Sequence, residues 1–143
     1  MTEFRALSPN FSVAPQLTAE DIARAAAEGY RTLINNRPDG EAPGQLSAKQ
    51  AREAAEAAGM TYLEAAFAGP PPPQAVEATI QWLSEAETPI LAYCRTGTRS
   101  TTVWALAQAK RKAMAPGEII AAAAGAGYDL AGARPVLEAL ANA

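Results

Sequence analysis

Pro89 to Tyr93, with the loop Cys94-Arg95-Thr96-Gly97-Thr98-Arg99-Ser100 that follows, limits the possible folds more than any other stretch. An apolar run of β-formers ends in a short polar loop, and an alanine-rich amphipathic segment, Ser100 to Lys112, follows at once. A buried strand passing into a helix through a tight loop is the repeating step of α/β proteins. The same rhythm recurs along the chain. Thr18-Ala19-Glu20-Asp21 reads as a helix N-cap with acidic residues in its first turn, Ile22, Ala25 and Ala26 form one apolar face, and Gly29 is the stop. Tyr30-Arg31-Thr32-Leu33-Ile34 is a strand candidate, Ser47 caps a helix running to about Ala58, and Met60 to Phe67 is the third strand candidate. The stiff Gly69-Pro70-Pro71-Pro72-Pro73 connection leads into a helix over Gln74 to Glu85, with Val76, Ile80 and Leu83 at helical spacing. Short helices are expected over Ile119 to Ala124 and from Pro135 onward. Phe11-Ser12-Val13 reads as an edge strand stopped by Pro15, and residues 1–10 as a loosely held terminus. The expected fold is α/β: a central, mainly parallel sheet of about four strands covered by helices, with residues 1–143 in a single domain.

Composition removes whole classes of function. Half the residues are apolar, much of that alanine, so thin helix interfaces anchored by Trp82 and Trp104 are expected. A formal charge of −3 argues against a nucleic-acid or anionic-membrane surface. No charged-then-apolar leader opens the chain and no apolar run approaches spanning length, so the expectation is a cytoplasmic protein with no membrane contact. The single cysteine excludes an internal disulfide and supplies no resolving thiol. The absence of histidine excludes Ser-His-Asp and Cys-His catalysis and the usual zinc sites. No Asp-rich loop offers a Mg²⁺ or Ca²⁺ site, so no metal or cofactor is expected. The remaining tools are one cysteine, carboxylates, arginines and backbone dipoles.

The cysteine loop assembles those tools. Cys94 sits where a strand ends and a helix begins, so backbone N–H groups and the positive end of the helix dipole face it. Such settings, with guanidinium groups nearby, lower a cysteine pKa from ~8.5 to roughly 3.5–7.5, which makes a nucleophile. Gly97 lets the backbone crowd its N–H groups inward, Arg99 offers planar bidentate donors to an oxyanion, and Arg95 adds positive potential at the rim. Thr96 lies within the loop, and Thr98 or Ser100 can donate to the sulfur or cap the helix. A second polar loop, Asn35-Asn36-Arg37-Pro38-Asp39-Gly40-Glu41, follows the Tyr30–Ile34 strand. It reads equally as an ordinary solvated turn and as a site loop, because α/β folds place sites beyond the C-terminal ends of parallel strands.

Three stretches in order, Asn35 to Glu41, Cys94 to Ser100 and Ala124-Gly125-Ala126-Gly127-Tyr128-Asp129-Leu130, resemble the phosphatase-like domain of the beta-lactamase-hydrolase-like proteins. The resemblance implies a fold similar to dual-specificity protein tyrosine phosphatases, with the cysteine loop between a strand and a helix. Members of that family occur alone or fused to a metallo-β-lactamase-like domain of the persulfide dioxygenase type, and are described both as phosphatase-like and as sulfurtransferases. Two departures from the tyrosine phosphatase pattern, His-Cys-x5-Arg, bear on chemistry. Tyr93 precedes the cysteine, and only four residues separate Cys94 from Arg99, a loop length similar to rhodanese-type sulfurtransferases. A phosphatase also needs an acid to protonate the leaving alkoxide. The loop expected to carry it reads Ala68-Gly69-Pro70, and the nearest substitutes are Asp39 and Glu41, with Asn36 and Arg37 on the same pocket rim. The leading expectation is a sulfurtransferase that carries sulfur as a Cys94 persulfide, with Arg99 holding the anion. Its partners are a small oxyanion or sulfur-donor substrate and a persulfide dioxygenase or other sulfide-oxidising protein. The alternatives are a phosphatase acting through phosphocysteine, with Asp39 or Glu41 as acid, and a non-catalytic oxyanion-binding module.

Overall fold

Four short parallel strands set the architecture of the protein, a computed structural model describing residues 1–143. The elements are β1 (Arg5–Ser8), β2 (Phe11–Ala14), α1 (Ala19–Ala27), β3 (Thr32–Asn35), α2 (Ala48–Ala57) and β4 (Thr61–Glu64). They continue with α3 (Pro73–Glu85), β5 (Ile90–Tyr93), α4 (Thr98–Lys110), α5 (Pro116–Gly125), a 3-10 turn (Ala131–Ala133) and α6 (Arg134–Ala141). The sheet order is β1-β2-β5-β3-β4, with only β1 antiparallel.

Strand alternation divides the core between the two faces of the sheet. Ile90 and Ala92 of β5, with Phe11, Val13 and Ile34, meet Trp104 of α4, Ile119 of α5 and Leu137 of α6. Leu91 and Tyr93 point the other way, onto Ile22 and Ala25 of α1 and Ala51 and Ala55 of α2. The alanines let α1 and α2 lie close to each other and to the sheet, as the composition implies. Each fully buried Leu or Ile contributes roughly 1.5–3 kcal/mol, so β5, buried at every residue like its neighbours β2 and β3, is firmly anchored. The cysteine loop hangs from it.

The structure alters the sequence reading at four points. Residues 1–10 are not a loose terminus: Arg5–Ser8 pairs antiparallel with β2, and Leu7 is buried. In consequence β2 is an interior strand, parallel to β5, and the sheet has five strands rather than four. The helix after the cysteine starts at Thr98, and Gly97 is its N-cap. Trp104 is fully buried as expected, but Trp82 is only partly so, packed against the edge of the same core. No helix is long and apolar enough to cross a membrane.

Candidate active site

All four parallel strands end on the same edge, and the loop after each reaches the neighbourhood of Cys94. Tyr93, the last residue of β5, lies level with Ala14 of β2 and Asn35 of β3. Asn35 in turn lies level with Glu64 of β4. Backbone bonds extend the ladder past the strands: Asn36 N–H donates to the Tyr93 carbonyl at 2.9 Å, and Gln16 N–H to the Arg95 carbonyl at 3.1 Å. Cys94 therefore stands just beyond the end of the central strand, at the edge where α/β proteins gather their ligands.

Cys94 is fully buried at the base of its loop. The Gly97 N–H donates to its Sγ at 3.1 Å. Gly97 adopts the left-handed conformation, φ 93° and ψ −11°, that turns the chain from loop into helix. The Arg95, Thr96, Arg99 and Ser100 N–H groups find no acceptor in the protein, those of Arg99 and Ser100 being in the first turn of α4. Free amides and the helix dipole together form an anion cradle around the sulfur. The loop side chains divide into tethered and free. Ser100 Oγ donates to Asn36 Oδ1 at 2.8 Å, and Asn36 Nδ2 donates to the Ala65 carbonyl at 3.0 Å, so these two residues join the β3, β4 and β5 loops. Thr96 Oγ1 donates to Thr98 Oγ1 at 3.0 Å. Neither Thr98 nor Ser100 touches the sulfur or caps α4, the two roles their chemistry had suggested. Arg95 is exposed and bonds to nothing through its side chain.

Arg99 is clamped. Its Nη1 and Nη2 donate to the two carboxylate oxygens of Glu41 at 2.9 and 2.7 Å, and Nη1 also donates to the Phe67 carbonyl at 2.9 Å. This planar fork-to-fork pairing holds the guanidinium by its end and leaves Nε without a protein partner, available to an anion above Cys94. Glu41, and after it Cys94, bind the Arg99 proton more tightly than usual, so the cation is permanent. Arg37 completes the network from β3: its Nε donates to Glu41 at 2.9 Å and its Nη1 to Gln16 at 3.0 Å. Hydrogen bonds from Arg99 and then Arg37 pull the Glu41 pKa down to about 2. The two arginines keep this carboxylate ionised, and an ionised carboxylate donates no proton.

Asp39 occupies a different place. It is exposed, and its Oδ1 accepts from the Ala48 N–H at 2.7 Å, in the first turn of α2. No hydrogen bond of its side chain reaches the cysteine loop. An acceptor there satisfies an otherwise unpaired donor and opposes the helix dipole. Asp39→Ala is expected to cost about 1 kcal/mol, read from urea unfolding. Tyr93, standing where tyrosine phosphatases have histidine, turns into the α1–α2 side of the core, and burial pushes its hydroxyl pKa up. No group of three or more His, Cys, Asp or Glu side chains is placed to hold a metal ion.

The sequence reading assigned no role to Gln16 and none to Tyr128. Gln16 follows β2, and its relevance required knowing that β2 is parallel and adjacent to β5. Tyr128 lay within the Ala124–Leu130 stretch, and its Oη donates to the Thr96 carbonyl at 3.0 Å.

Comparison with known proteins agrees with this geometry. Residues 3–111 match the family described as beta-lactamase hydrolase-like protein, phosphatase-like domain. A beta-lactamase hydrolase-like protein of Agrobacterium fabrum is 38% identical over 104 residues, 72% of this chain and 24% of that one. The chain spans 24–31% of the length of the curated relatives it matches. Among solved structures, a candidate phosphatase from Neisseria meningitidis superposes with a TM-score of 0.83 at 34% identity, covering 96% of this chain and 97% of that one. Tk-PTP in its active form shares the fold at a TM-score of 0.74 and 14% identity, over 97% of this chain and 96% of that one. The protein has a phosphatase-like scaffold, and the chain belongs to the phosphatase-like domain family of the beta-lactamase hydrolase-like proteins.

Proposed function

We propose that the chain is a sulfurtransferase that carries sulfane sulfur as a persulfide on Cys94. The observation that carries this reading is the state of Glu41. It is the one carboxylate bonded into the site, and two arginines hold it ionised. Asp39 is tied to α2, and the loop after β4 contains no acid. An alkoxide leaving from a phosphate ester needs a proton, whereas sulfite and thiolates leave near neutral pH without one. In the forward step the Cys94 sulfur attacks the outer sulfur of thiosulfate. The S–S bond of the donor breaks, sulfite departs with the electron pair, and Cys94–S–S⁻ remains. An acceptor nucleophile then takes the outer sulfur and returns Cys94 as thiolate. Arg99 Nε and the free amides of the loop stabilise the anionic donor and the charge that develops on leaving. A persulfide dioxygenase-type domain or protein is the acceptor-side partner this reading calls for.

Incubation with thiosulfate and cyanide is expected to release thiocyanate, and thiosulfate alone to add the mass of one sulfur atom at Cys94. Neither product from fully reduced protein would overturn the proposal. The fold favours a second reading, phosphate ester hydrolysis through phosphocysteine. Hydrolysis of an aryl phosphate that vanishes in Cys94→Ser, without thiocyanate formation, would decide for it.

A further inference from the structure

The Ala124–Leu130 stretch has no part in the chemistry described so far, yet one of its side chains grips the cysteine loop from outside. Tyr128 Oη donates to the Thr96 carbonyl at 3.0 Å. That carbonyl and the Gly97 N–H belong to one peptide group, and the Gly97 N–H donates to Cys94 Sγ at 3.1 Å. In a trans peptide the C=O and N–H point in opposite directions. Holding the carbonyl outward on Tyr128 therefore holds the N–H inward on the sulfur.

We infer that Tyr128 is a positioning residue that locks the Thr96–Gly97 peptide with its N–H toward Cys94. Without the lock that peptide is free to turn over, because a glycine follows it and tolerates either sign of φ. The turned peptide would aim a carbonyl oxygen at the sulfur, which repels a negative charge there.

Two close approaches in the structure serve this contact. A Cβ at Gly97 would stand 2.1 Å from the Tyr128 Oη, so any other residue there pushes the hydroxyl away. Behind the ring, Arg5 of β1 stacks its guanidinium 5.9 Å from the Tyr128 centroid and donates Nη1 to the Ala126 carbonyl at 3.2 Å. A Cβ at Gly127 would meet that Nη1 at 2.7 Å. The absence of a side chain at Gly127 therefore has a use. It leaves room for the arginine that backs the tyrosine. Burial raises the Tyr128 hydroxyl pKa above its ordinary value, which keeps it a donor.

The inference rests on Cys94 being the reacting sulfur, so its test reads the peptide itself as well as the chemistry. Tyr128→Phe removes one oxygen. The expected result is amide hydrogen exchange at Gly97 faster by about tenfold, the scale of one lost hydrogen bond, with β5 and the body of α4 unchanged. Alkylation of Cys94 by iodoacetamide and persulfide loading from thiosulfate should slow by about three- to tenfold, and p-aminophenylalanine at position 128, which restores a donor, should recover both. Unchanged exchange at Gly97 and unchanged alkylation in folded Tyr128→Phe would overturn the inference, as would faster exchange spread through α5 and α6. If Tyr128→Phe does not fold, Arg5→Met decides: the same signature at smaller amplitude supports the lock, and its absence refutes it. If the parent protein forms no thiocyanate and no persulfide, the sulfurtransferase reading fails alone, since exchange and alkylation still report on the lock.

Discussion

Cys94→Ser is expected to abolish thiocyanate formation, by at least about a thousandfold, and to show no mass gain with thiosulfate. A serine hydroxyl cannot form the S–S bond that stores the transferred sulfur. The substitution is otherwise mild: the Gly97 N–H keeps an acceptor, and Arg99 keeps its clamp on Glu41 and Phe67. Sulfate binding by Arg99 and the free loop amides should therefore survive in the variant. That combination separates chemistry from binding. If thiosulfate turnover persisted in Cys94→Ser, the sulfur would have another carrier, and the loop would be an anion-binding element only.

Glu41→Gln should have the largest effect on stability. Arg37 is 4% exposed and already has one buried nitrogen, Nη2, without a partner. Neutralising the carboxylate between it and Arg99 leaves two guanidinium groups sharing one amide oxygen. A loss of roughly 2–3 kcal/mol is expected, or about 5–10 °C in Tm for a domain of this size. The pH dependence identifies the cause. Glu41 is held near pKa 2, below its ordinary value of 4.5, so its contribution is present above pH 4.5 and is lost as pH falls toward 2. The Tm difference between parent and Glu41→Gln should be greatest above pH 4.5 and shrink toward zero near pH 2. A difference independent of pH over that range would mean that shape, not charge, accounts for it.

The contrast between Glu41 and Asp39 shows where sequence reasoning stops. Both carboxylates lie in one seven-residue loop, and residue type and spacing make them equal candidates for an acid. Their environments differ: one is ionised between two arginines, Arg37 from the loop after β3 and Arg99 from the first turn of α4, and the other sits on the end of a helix. Ser100 is a similar case. Its place after Arg99 suggested a donor to the sulfur or a cap for the helix, but its hydroxyl reaches across to Asn36, sixty-four residues away in sequence.

Local patterns were enough for much of the fold. The apolar run into Cys94, the helical spacing of Val76, Ile80 and Leu83, and the caps at Thr18 and Ser47 correspond to β5, α3, α1 and α2. These signals act within a turn or two of chain, so they are present in the sequence itself. β1 was not legible, because a four-residue edge strand with a single buried side chain, Leu7, gains its identity from its partner, and the pairing of Arg5 with Val13 is tertiary. The cysteine loop divides in the same way. The cysteine, the arginine five residues beyond it and the glycine between are local chemistry, and the sequence by itself determined them. Only the tertiary structure decided what surrounds them: the Glu41 clamp, the buried Arg37, and the hydroxyl of Tyr128 on the Thr96 carbonyl. Those contacts join four strand-end loops and a distant helix end, and hydrogen bonds at that separation exist only once the sheet has brought the strands side by side.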